Sequence, residues 1–187
     1  MRSRITGALL LTAAMVVPVG LSASPAGAVG GTVCKTASGT ATFKPPLPKI
    51  GSATTVKPTV GIVGAKVGGC VGGTVTAGTL SATLKFHKAS NCQKLVDGVS
   101  GDVYGPLKIV WANGKGSSTV GKATLAKVAG QAPTVQKVSG LVTLGKFKGS
   151  KLTATTVYTI PKDGSCNSKG LSKVTFKLKT GTKLVIK

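Results

Sequence analysis

Few residues in this chain could carry reaction chemistry. His87 is the one imidazole. A nucleophile–base pair needs such a base within reach of a hydroxyl or thiol. His87 stands between Phe86 and Lys88 at a strand end, on the same wet side as Lys85, and reads as a surface residue. The carboxylates are Asp97, Asp102 and Asp163, with no Glu. Asp97 and Asp102 lie close enough in sequence for the paired carboxylates of a glycosidase. In a chain this poor in acid they read instead as turn caps or lysine partners, and three scattered Asp do not make a calcium cage. Cys34, Cys70, Cys92 and Cys166 contain no C-x-x-C, and one His adds little, so a zinc site is not expected. An even cysteine number in an exported chain reads as two disulfides. Four cysteines allow three connectivities, and sequence does not choose among them; we favour the sequential pairing Cys34–Cys70 and Cys92–Cys166. Trp111 reads as a core residue. A sugar-stacking platform would need Tyr104 or Tyr158 beside it. The expectation is a protein without enzymatic activity, metal or cofactor.

The elements that must hold these residues alternate with a period of two. In 79–86, Leu80, Ala82, Leu84 and Phe86 oppose Thr79, Ser81, Thr83 and Lys85. Segments 151–160 and 172–179 behave alike. This is the pattern of strands with one dry and one wet face. Strands are expected near 39–44, 55–63, 73–86, 106–112, 117–128, 134–145, 150–160, 172–179 and 183–187. Asn113-Gly114 suits a type I′ hairpin. Thr180-Gly181-Thr182 reads as a closing hairpin, and Asp163-Gly164 as the end of a strand. Pro45-Pro46-Leu47-Pro48 reads as an extended connector. A short helical turn is expected within 92–101. The fold class is all-β: an antiparallel β-sandwich, Ig-like or a flattened barrel, with two disulfides.

The first 28 residues read as a secretory signal peptide: Arg2 and Arg4, then an apolar stretch interrupted by Pro18 and Gly20, then Ala26-Gly27-Ala28. The remainder, 29–187, reads as one secreted domain. Removing the signal takes the 25 basic residues to 23, all lysine, and the net charge from +22 to +20. Such a molecule projects a positive potential over its whole surface. If Val174, Phe176, Leu178, Leu184 and Ile186 face the core, then Lys173, Lys177, Lys179, Lys183 and Lys187 share the outer face as a candidate polyanion site. The absence of Arg from 29–187 argues against base-specific nucleic-acid reading.

Ala26-Gly27-Ala28, Cys34, the Gly/Thr/Ser strand 72–84 after Cys70, Asn91-Cys92 and the 109–114 hairpin resemble a group of small exported four-cysteine proteins of actinobacteria (high-GC Gram-positive bacteria). The resemblance implies a secreted β domain and no particular activity. The lysine content departs from that group. The functional expectation is a secreted, loosely wall-associated protein that binds teichoic acid or acidic polysaccharide by charge. Its rivals are a protein-interaction or structural subunit with incidental charge, and a cationic membrane-active effector.

Overall fold

The computed structural model describes residues 30–98, 102–161 and 165–187. The segment read as a signal peptide, and Asp163-Gly164, read as the end of a strand, lie outside them. Nine strands form one antiparallel sheet: β1 (Thr32–Leu47), β2 (Thr59–Val71), β3 (Ala77–Phe86), β4 (Val103–Trp111), β5 (Ser117–Lys127), β6 (Val135–Gly145), β7 (Lys151–Thr159), β8 (Leu171–Leu178) and β9 (Leu184–Ile186). Two short helices, α1 (Cys92–Val96) and α2 (Ser165–Ser168), lie in the β3–β4 and β7–β8 connections. The fold is all-β, with Cys34 bonded to Cys70 and Cys92 to Cys166.

The sheet does not divide into the two facing layers of a sandwich. Neighbouring strands pair in sequence from β1 to β8, and β1 also pairs with β8, which closes an eight-position barrel. Six register shifts interrupt the ladders among the described residues. Four of them, at Ser38/Ala41, Ile62/Ala65, Gly105/Leu107 and Val120/Thr124, coincide with Gly39, Gly64, Gly105 and Gly121. A bulge adds a residue, bends its strand and raises the local twist. At Gly105 a Cβ would collide with the carbonyl oxygen of Thr83, so only glycine lets β4 press this closely on β3.

The closing hairpin expected at 180–182 is absent. β8 and β9 both run antiparallel to β1, along successive stretches of it: Lys177 faces Ser38, and Leu184 faces Cys34. β7 lies on their other side. They are one barrel strand broken by a turn at 179–182, where Thr182 donates from its backbone N–H and its hydroxyl to Lys179 O. A hairpin would need a free edge on β8, and β1 and β7 occupy both. The 45–48 connector is also corrected: Pro45 to Leu47 continue β1, after a cis Lys44–Pro45 bond.

The two barrel ends differ. Turns at 72–76, 112–116 and 146–150 close one end. Asn113 and Gly114 have φ of 57° and 65°, the positive values that a type I′ turn needs. Trp111 is 2% exposed, meets Phe147 edge to face at 5.7 Å, and donates from Nε1 to Ser118 Oγ at 2.8 Å. The Ser118 hydroxyl donates in turn to Lys146 O at 2.6 Å. The other end carries the long connections. Asn91 caps α1 by accepting from Lys94 N at 2.9 Å, and its amide donates to Ser52 O. Ile50 N donates to Cys166 O, so the 48–58 loop, α1 and α2 form one tied cap.

Replacing Ser118 by Ala leaves the buried Trp111 N–H and Lys146 O without their partner. The expected cost is about 1–3 kcal/mol, read from denaturant unfolding followed by the fluorescence of Trp111, the chain's single tryptophan.

Candidate functional site

An eight-stranded barrel is just wide enough to be filled by side chains or to hold one small ligand. Here it is not filled. A cavity of about 310 Å³ lies inside, above the Trp111–Phe147 base. Its wall is the inward register of nearly every strand, including Phe43, Ile62, Leu84, Leu107, Val138 and Phe176. Space exists because Ala37, Ala41 and Ala154 also point inward, where larger side chains would meet across the axis.

The cavity opens at the capped end, beside α1. Leu95 of α1 is buried over it. Tyr158 donates from its hydroxyl to Leu95 O at 2.9 Å, which fixes the helix to β7. Burial pushes the Tyr158 phenol up to about 12, so it stays a neutral donor at physiological pH. Gly98, Asp102, Lys127 and Gln136 complete the opening.

Register explains the change from dry to polar. Leu125, Val138 and Ala154 face one another across β5, β6 and β7. Two residues on, towards the mouth, Lys127 faces Gln136, which faces Thr156. A two-residue step keeps the face, so this polar row crowns an apolar one. Both rows line the cavity. Asp102 lies beside them on the rim. Among the described residues no Lys–Asp ion pair forms.

The residues singled out from sequence fall elsewhere. Lys173, Lys177, Lys183 and Lys187 are exposed and Lys179 is half-exposed. All five lie along β8, the turn and β9, on one line down the outer wall. Lys177 faces Ser38, which faces Lys66 on β2. Lys179 N donates to Thr155 O, and Thr155 faces Lys137. Lys137, Thr153, Thr155 and Lys183 line a shallow outer depression. Both described carboxylates, Asp97 and Asp102, belong to the β3–β4 connection at the barrel end, and Asp97 accepts from Gln93 Nε2. His87 is exposed and meets the edge of Tyr104. Trp111 at the base and Tyr158 at the mouth are too far apart to share a sugar. Among the described residues no three His, Cys, Asp or Glu converge on one point.

Sequence reasoning missed the cavity and Lys127. The available signal was parity: Leu125 and Lys127 are two apart at the end of a strand whose inner face is apolar. No family model matches this chain, and neither the curated proteins nor the solved structures hold a match to it.

The folded phenol of Tyr158 holds its proton more tightly than the unfolded one, whose ordinary value is 10.0. Its stabilising contribution is complete below pH 10 and is lost as pH rises through about 12. Absorbance titration at 295 nm should show one tyrosine ionising near 12, and Tyr158→Phe should remove that step.

Proposed function

We propose that this protein is an exported, non-enzymatic binding protein that takes a small apolar molecule into its barrel. The observation that carries this reading is the cavity: walled mostly by apolar side chains, with Asp102, Lys127, Gln136 and Thr156 towards its opening. Its volume lies at the lower end of the range for small-molecule sites. A concave site lined mostly by apolar side chains with a few polar groups suits a small apolar guest. The two disulfides fit an oxidising compartment, in keeping with the export signal read from the sequence. No helix among the described residues is long and apolar enough to cross a membrane. The strands turn lysine, threonine and serine outward, which does not resemble the apolar band of a membrane barrel.

The test uses a neutral guest, so that the lysines do not attract it. Calorimetric titration with 1-octanol should give saturable one-to-one binding with a negative heat-capacity change. Ala41→Phe, which fills the cavity, should weaken it at least tenfold. Absence of saturable binding would defeat the reading.

A second reading rests on the line of lysines down β8 and β9, with Lys66 and Lys137 on either side. This arrangement favours retention of the same protein on anionic wall polymers such as teichoic acid or acidic polysaccharide. The rival of an apolar protein-docking face has less support. Of the exposed large hydrophobic residues on strands, Val63 and Val71 lie on β2, Val110 on β4, and Leu141 and Leu144 on β6, strands separated by β3 and β5. Retention on teichoic-acid-bearing cell walls should fall steeply with salt. Changing Lys173, Lys177, Lys179, Lys183 and Lys187 to Gln should abolish most of it, while leaving octanol binding intact.

A further inference from the structure

We infer that the ligand is a single-chain amphiphile, an alkyl chain of about ten to twelve carbons with an anionic head, and that Lys127 receives the head. The inference rests on the cavity being a binding site and adds the class of molecule it takes.

The shape argues for one chain. On β1 the lining runs from Ala37 to Phe43. Those six steps cover about 20 Å of strand, or about 15 Å along the axis at the usual barrel tilt. A volume of about 310 Å³ spread over that length makes an elongated bore, which an extended hydrocarbon chain matches in shape. The bore also sets the chain length: about 15 Å takes an extended chain of about ten to twelve carbons.

The head follows from the mouth. Chain methylenes would lie against Leu125, Val138 and Ala154. The next row outward is Lys127, Gln136 and Thr156, an ammonium, an amide and a hydroxyl. Of the strand lysines, Lys127 is the one that lines the cavity among the described residues. Among the described residues its ammonium forms no ion pair with a carboxylate. A carboxylate at this height would accept from Lys127 Nζ and the Gln136 amide while its chain fills the bore. Asp102 lines the same opening and opposes an anionic head. The chain as a whole carries 25 Lys and Arg against 3 Asp, and that excess raises the concentration of anions around the protein.

The experiment is calorimetry with n-alkyl carboxylates of six to fourteen carbons and the matching alcohols, all below their micelle concentrations. The expected affinity rises about fourfold per carbon and stops rising at ten to twelve carbons. Carboxylates should bind more tightly than alcohols of the same length. Lys127→Gln should weaken carboxylates about tenfold and alcohols far less, while Asp102→Asn should tighten carboxylates. Both positions are exposed, so the variants are expected to fold. Equal binding of acid and alcohol, with no effect of Lys127→Gln, would overturn the head assignment and leave the cavity reading standing. Affinity that climbs through fourteen carbons without a break would overturn the single-chain bore. If neither series saturates, the cavity reading falls too.

Discussion

Closure of the sheet is the constraint on which everything else depends. β1 gives one edge to β2 and the other to β8 and β9, so no strand keeps a free edge along the seam. Once the sheet is a tube, the two faces of every strand cease to be equivalent. One set of side chains shares a narrow interior and the other meets solvent. The alternation that would serve a sandwich core therefore sorts residues into a lining and a coat. The mouth marks the limit of that sorting. There the inner register continues past the apolar layers, and the side chains on it become polar because water reaches them.

The strands, the short helix at 92–96 and the Asn-Gly hairpin were legible because their causes are local: period-two burial, an Asn cap and paired positive φ values. The barrel was not legible, because closure is a long-range pairing. Leu80, Ala82, Leu84 and Phe86 alternate in the same way whether they face a second sheet or the far wall of a tube. The best clue lay in the glycines inside strands, at 39, 64, 105 and 121. These read as composition until the register shifts are seen beside them. Thr180-Gly181-Thr182 misled for a related reason. A tight turn reverses a chain only if the next segment finds an edge, and here both edges of β8 are taken.

The candidate site divides the same way. The lysine line on β8 and β9 follows from alternation alone and keeps its outward direction even though the hairpin does not form. Lys127 is different. Its neighbours in sequence, Ala126 and Val128, say little, and among so many lysines it reads as one more solvated charge. Only its pairing with Gln136, one layer above Leu125 and Val138, turns it into the inner rim.

The cavity also bears on why so small a barrel carries two crosslinks. Side chains that line unfilled space give up packing contacts, so a cavity of about 310 Å³ works against the stability of the barrel. The disulfides span 36 and 74 residues. On the chain-entropy account they contribute about 4 kcal/mol each. Their positions fit that role. Cys34–Cys70 joins facing residues of β1 and β2 near the closed base, and Cys92–Cys166 ties α1 to α2 over the mouth. A barrel held at both ends in this way can leave its middle open. A guest of matching section would return the packing that Ala37, Ala41 and Ala154 give up.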